Sequence, residues 1–338
     1  MINVAAAGNR TAWRGRLGAE PVAARPSLDA RRALQLVLAA IWLLDGVLQY
    51  QGFMFTAGFN QLLAGTADGN PAIIAKPITW DATLVDHHMV ALNAIFATIQ
   101  LLLGLGIAFR PTVKLALAAS ILWSLGVWWF GEGLGGVLNG GASPLNGAPG
   151  AVIIYALLAV LLWPADRAVP APFTAARAVG AHIARALWAV LWLSLAYFAL
   201  TPANRAPQGV NGMIADMTSG EPVWLQDLQK GAASLVSGQG LAASVVLAIA
   251  LALIAVGVYL PARIAKATLV LAIVVAAIIW VFAQALGGML ATGATDVNSG
   301  PLLALLALAY WPQQAVPATP RPAPAVSEEP VTNEAETR

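Results

Sequence analysis

The sequence predicts an all-α membrane protein: eight transmembrane helices arranged as two parallel-repeat four-helix bundles. Three observations carry that expectation. The chain of 338 residues is 59% apolar and only 10% charged, with mean hydropathy +0.73, whereas a soluble domain carries about 25% charged residues. Apolar runs recur at roughly the ~20 residues that a helix needs to cross a bilayer. The chain also carries one motif twice, as WWFGEGLGGVLNGGASPLNGAP from Trp128 to Pro149 and WVFAQALGGMLATGATDVNSGP from Trp280 to Pro301. At a fixed offset of 152, Trp128, Phe130, Leu134, Gly135, Gly136, Leu138, Gly141, Ala142, Asn146 and Pro149 recur unchanged, while Glu132 recurs as Gln284 and Ser143 as Thr295. A second echo lies upstream, where Asn60–Ala64, Gly69 and Pro71 match Asn211–Ala215, Gly220 and Pro222 at offset 151.

The expected spans are 33–51, 89–109, 114–131, 149–163, 183–200, 240–260, 266–286 and 300–311. Around them the chain divides into a basic tail 1–32, a first four-helix membrane repeat 33–163, a linker 164–182, a second repeat 183–311 and a tail 312–338. The first tail has no signal-peptide h-region, so the first apolar run reads as a retained helix. The last tail is Pro-rich, then Glu-rich, and is expected to be disordered. The loops 52–87 and 201–239 carry short apolar stretches that read as interfacial helices.

Charge sets the topology. Of the 18 Lys and Arg, all but Lys76, Arg205 and Lys230 fall on one side of these spans. The positive-inside rule then makes both tails and the linker cytoplasmic. Trp128, Trp129, Trp163, Trp280 and Trp311 stand at span ends, as an interfacial aromatic belt should. Arg outnumbers Lys, and Ala and Gly abound, so the expected location is a bacterial inner (plasma) membrane. The lipid bilayer is the expected partner, with other membrane proteins as further candidates and no nucleic acid. The absence of cysteine removes disulfides, thiolate-bound metals and thiol redox chemistry.

The two Gly-rich loops are too rich in Gly, Asn and Pro for helix and too apolar for a solvated loop. Two readings fit: they dip into the bundle and line a cavity, or they cap the helix ends. Each is followed by a short span, and paired Gly-interrupted segments in two repeats are a sequence pointer to a binding site.

Ionisable groups at membrane depth are costly and suggest function. Asp45 is the one acid inside an expected span, and Gln35, Trp42 and Gln49 share its helix face. Asp86, Asn93 and Gln100 form a stripe at seven-residue intervals, beside His87 and His88, and Glu132 opens the first Gly-rich loop. These eight groups, Asp45, Gln49, Asp86, His87, His88, Asn93, Gln100 and Glu132, are the candidate ligand-binding residues. In the second half they fade, so the first half is expected to be chemically active and the second degenerate. Three readings fit the cluster: interhelical polar glue, a site for a protonatable or hydroxylated small molecule such as a quinone headgroup, and a metal site. Adjacent histidines on a helix point about 100° apart, and the spacing lacks the i, i+4 logic of a strong metal motif. The lone His182 and the pair His87/His88 do not place two imidazoles across facing helices, so no haem is expected. No catalytic residue is nominated, and an enzyme is the less favoured expectation.

The segment Trp42-Leu-Leu-Asp-Gly-Val-Leu-Gln49, within a four-helix unit, resembles the opening helix of the DoxX-like membrane family. The resemblance covers about a third of the chain and implies a redox-associated membrane subunit, linked in some members to thiosulfate and quinone. Gln49 stands where that family carries Lys. The function expected is therefore an accessory or small-ligand-binding membrane protein of this kind. A small-solute transporter and a structural partner of a membrane complex are the alternatives.

Overall fold

The structure, a computed structural model, describes residues 29–166 and 171–313. The expectations for most of the basic tail, part of the linker and most of the C-terminal tail lie outside the described residues. Within them the chain forms thirteen α-helices joined by turns and short 3-10 segments, with no strand. In order these are α1 Ala30–Gln49, α2 Ala57–Gly65, α3 Ala72–Ala108, α4 Val113–Phe130, α5 Ala151–Leu161, α6 Thr174–Val179 and α7 Ala181–Ala199. There follow α8 Pro202–Arg205, α9 Gly209–Asp216, α10 Val223–Val236, α11 Gly240–Gly257, α12 Ala262–Ile278 and α13 Ser299–Ala309.

Six helices are long and apolar enough to cross a membrane: α1, α3, α4, α7, α11 and α12. Their outer faces expose Val90, Leu115, Leu122, Val190 and Val246. Apolar surface on that scale fits contact with lipid rather than water. The expected fourth and eighth spans are shorter than predicted. At 11 residues each, α5 and α13 extend only about 16 Å along their axes. Both are packed inside the bundle, with Ile154, Tyr155, Leu158, Leu302 and Leu306 fully enclosed.

One boundary differs from the expectation. The stretch 72–87, read as an interfacial loop, is the first part of α3, which runs 37 residues and breaks only at His88 (φ −131°, ψ 29°). In the other half the corresponding place is a true interruption: α10 ends at Val236 and α11 starts after Gln239 (φ −111°, ψ 23°). Close helix approach is set by small residues. A Cβ on Gly104 would lie 2.8 Å from the Ala39 carbonyl oxygen, and one on Gly46 would lie 2.7 Å from Leu101, so α1 and α3 touch backbone to backbone.

The basic end of the bundle is tied by charge. Arg31 pairs with Asp166 at 2.6 Å, and Arg177 bridges Asp29 (2.7 Å) and Asp166 (2.9 Å). Arg32 donates to the carbonyls of Ile107 (2.8 Å) and Ala108, the last turn of α3, where a cation offsets the helix dipole. Gln313 donates its backbone N–H to Pro172 (2.9 Å), which brings the end of α13 to the same side.

The opposite end carries the Gly-rich loops. Helices α4 and α12 both terminate in a widened, π-type turn: the Glu132 N–H reaches the Val127 carbonyl (2.9 Å), and the Gln284 N–H reaches Ile279 (3.0 Å). A left-handed stretch follows in each, through Leu134 (φ 58°) and Gly135 (φ 63°), and through Leu286 (φ 56°) and Gly287 (φ 77°). Beyond these glycines the fixed 152-residue offset stops describing the structure. Gly135 abuts Pro149, whereas Gly287 abuts Val297, and α5 and α13 begin 148 positions apart. Asn146 and Asn298 accordingly do different jobs despite matching in sequence. Asn146 accepts from the Ser143 N–H (3.1 Å) within a 3-10 turn, while Asn298 caps α13 through the Ser299 N–H (2.7 Å).

Candidate functional site

A cavity of about 280 Å³ lies at the loop end of the first half. Helix α1 supplies one wall. Trp42, Asp45 and Gln49 follow one another at spacings of 3 and 4, which puts all three on one face. Asp45 is 1% exposed. One of its oxygens, Oδ2, accepts the Tyr155 hydroxyl of α5, and Tyr155 in turn packs on Trp42 with ring centroids 4.4 Å apart. The indole of Trp42 donates to Ser120 Oγ (3.1 Å) and so ties this wall to α4. The other oxygen, Asp45 Oδ1, is shielded and has no hydrogen-bond partner.

Glu132 enters from the first Gly-rich loop. The widened turn at the end of α4 aims its carboxyl at the start of α5, where Oε1 accepts the Val152 N–H (3.2 Å). A helix N-terminus suits a carboxylate there. Its second oxygen, Oε2, has no partner. The second half contributes as well: Thr295 and Asp296 of the other Gly-rich loop line the same cavity. Asp296 is held by the Asn298 N–H (2.6 Å) and the Thr295 hydroxyl (2.8 Å). Burial first, and then the neighbouring Asp296, push the Glu132 carboxyl up to about 8, against the pull of the α5 backbone N–H groups. Burial also raises Asp296, partly offset by its own hydrogen bonds.

Helix α3 adds Phe96, Gln100 and Asp81, and α4 adds Leu122, Trp123 and Gly126. Leu122 is 73% exposed and Leu62 of α2 is 52% exposed, so the cavity reaches the apolar flank of the bundle. Gln100 presents an unpartnered Oε1. No Lys, Arg or His stands in the lining.

Of the eight candidate residues, four line this cavity: Asp45, Gln49, Gln100 and Glu132. Asn93 is buried behind it, spent on Gln49 and on the Met54 carbonyl (2.7 Å). The other three lie elsewhere. Asp86, His87 and His88 are exposed and outside the cavity, with Asp86 bonded to Asn60 (3.3 Å). The cause is the break at His88, which interrupts the helix between Asp86 and Asn93 and so ends the seven-residue stripe. Among the described residues no group of three His, Asp or Glu side chains is placed to hold a metal ion. The second half also supplies Asp296 to the cavity in the first.

Sequence reasoning missed Tyr155, Asp81 and Asp296. Tyr155 is the one hydrogen-bonding side chain in the helix AVIIYALLAVL. Asp296 is an acid where the first loop has Pro144 at the same offset. Either signal could have been read.

The loops cross over. Ser143 of the first donates to Asn204 (2.8 Å), and the Pro144 carbonyl accepts from Gln284 (3.4 Å). The Ala294 carbonyl of the second accepts from Gln51 (3.3 Å). Where the first half has its cavity, Gln284 is enclosed and satisfied by Ser299 (2.8 Å) and the Gly300 N–H (3.3 Å). No family model matches the chain, and no curated protein or solved structure matches it either.

Proposed function

We propose that this chain is an accessory, small-molecule-binding protein of a bacterial inner membrane, and that its cavity receives the polar head of a ligand arriving through the lipid. One observation carries the reading. Asp45 Oδ1 and Glu132 Oε2 are buried without partners in a cavity that reaches the apolar flank. An unpaired buried polar group costs about 1–3 kcal/mol, and a ligand that hydrogen-bonds to it recovers that cost.

The reading includes two four-helix repeats, with α5 and α13 as the short fourth crossings and the basic end cytoplasmic. The shared left-handed loop conformation, the equal length of α5 and α13, and the matching breaks at His88 and Gln239 support it. Counting back from the helix ends, Leu195 and Ala199 fall where α1 has Asp45 and Gln49, and Leu303 falls where α5 has Tyr155. The second repeat is thus apolar where the first is polar, as a degenerate copy would be.

A quinol of the kind the DoxX-like resemblance suggests is a second reading, favoured by the apolar mouth. Its hydroxyls donate to the unpaired acceptor oxygens, whereas quinone carbonyls only accept. The test is saturable binding of a short-chain benzoquinol to the full chain in lipid nanodiscs. Binding that is lost in Asp45→Asn supports a ligand site. A cavity that takes up no lipid-soluble donor reduces the cluster to interhelical glue.

A further inference from the structure

The walls of this cavity are acidic and aromatic, with no cationic side chain among the described residues. Three carboxyls face it from three separate elements: Asp45 from α1, Glu132 from the first Gly-rich loop and Asp296 from the second. A fourth, Asp81, stands in α3 with part of its side chain exposed. Among the described residues the lining holds no Lys, Arg or His. Several acids together in an apolar setting either keep their protons or ionise when a positive charge joins them. Arg31, Arg32 and Arg177 are bound at the far end of the bundle.

The unsatisfied atoms define the head group. Asp45 is 1% exposed, and its Oδ1 lacks any donor, as does Glu132 Oε2. As carboxylate oxygens both accept an N–H or O–H, and an ammonium arriving there favours that ionised form. The aromatic walls, among them Trp42, Phe96, Trp123 and Tyr155, offer ring faces suited to a cation and to an apolar body. The volume of about 280 Å³ sits near the lower end of small-molecule pockets.

We infer that the cavity is a site for a protonated primary or secondary amine with a short apolar or aromatic body. The ammonium N–H groups donate to Asp45 Oδ1 and Glu132 Oε2, and the body lies against the aromatic wall toward the apolar mouth. A quaternary ammonium carries the charge but no N–H, so it leaves both oxygens unpaired. A neutral alcohol donates one hydrogen bond and brings no charge to favour an ionised carboxyl. This inference rests on the reading of the cavity as a ligand site and names the class of ligand.

The test uses the full chain in nanodiscs, with the fluorescence of Trp42 and Trp123 as the readout. Three probes share one body: 2-phenylethylamine, 2-phenylethanol and the trimethylammonium analogue of the amine. The amine is expected to quench saturably, with the alcohol and the quaternary analogue weaker by about tenfold or more, the scale of a charge-assisted hydrogen bond. Asp45→Asn and Glu132→Gln are each expected to weaken the amine by a similar factor. Glu132→Gln retains an oxygen for the Val152 N–H, so it keeps the local fold if Asp45→Asn does not. Equal binding of amine and alcohol, or unchanged affinity in Glu132→Gln, overturns the inference. If the benzoquinol binds and the amine does not, the ligand site stands and the amine inference falls. If neither binds, both fall.

Discussion

Glu132 and Asp296 stand 164 positions apart in the chain, yet line the same cavity, one from each Gly-rich loop. Both carboxyls are shielded from water, and Asp296 makes Glu132 harder to ionise. Burial is the larger cause of the raised value at Glu132 and Asp296 the second. Asp296→Asn is therefore expected to lower the Glu132 midpoint from about 8 without restoring an ordinary value. Infrared titration of the carboxyl bands, with Glu132→Gln identifying the band, checks this. An unmoved midpoint would show that the two groups do not sense each other.

The same raised value sets a pH dependence of stability. Glu132 holds its proton in the folded protein up to about 8 but only to 4.5 when unfolded. The folded state binds more protons in that window, so stability falls as pH rises from 4.5 to about 8 and levels off above it. Glu132→Gln is expected to make the profile less steep by removing this contribution, while that of Asp296 remains. Thermal melts of both proteins across that range measure it.

Tyr155→Phe removes the donor to Asp45 and leaves both carboxyl oxygens of a buried side chain unpaired. A loss of about 1–3 kcal/mol is expected. The double change Asp45→Leu/Tyr155→Phe should cost less than the sum of its parts, because it strands no polar atom. Additive losses in a double-mutant cycle would mean the pair is not coupled.

Gly135 and Gly140 separate two effects of a side chain. Both have positive φ, but a Cβ on Gly135 would meet the Pro149 oxygen at 2.1 Å, whereas one on Gly140 meets nothing within 4 Å. Gly140→Ala should cost on the order of 1 kcal/mol, the backbone term alone. Gly135→Ala should cost several times more, or prevent the α5 approach altogether. Comparable melting temperatures would contradict the close contact.

Orientation is accessible because the chain has no cysteine of its own. Single cysteines at Gly69 and Gly220 are expected to react with an impermeant thiol reagent from outside the cell, and one at Arg177 only after the membrane is opened. Labelling of positions 69 and 220 from opposite sides would refute the parallel arrangement of the halves.

Much of this fold could be read from the sequence because lipid imposes a simple rule: long apolar runs became the six long helices. What could not be read depended on the third dimension. The break at His88 removed Asp86, His87 and His88 from the cluster, and periodicity cannot register a break that its own composition does not announce. The fixed offset concealed a four-residue difference in loop length, since Asn146 and Asn298 align in sequence while serving different turns. Asp45, Gln49, Gln100 and Glu132 were legible as polar groups out of place in apolar surroundings. Asp296 was legible as an acid in place of Pro144, but its position in this cavity was not, because that depends on a loop reaching across to the other half.

That crossing has a consequence for how the chain can be divided. The wall that completes the cavity belongs to a segment synthesised well after the rest of it, so the first half emerges from the ribosome with its acids facing an unfinished chamber. A fragment ending at the linker would keep the bond between Asp45 and Tyr155 but have no lid above it. On the proposed reading, ligand uptake is a property of the whole polypeptide, and two separately made halves would regain it only by docking in the same crossed-over manner.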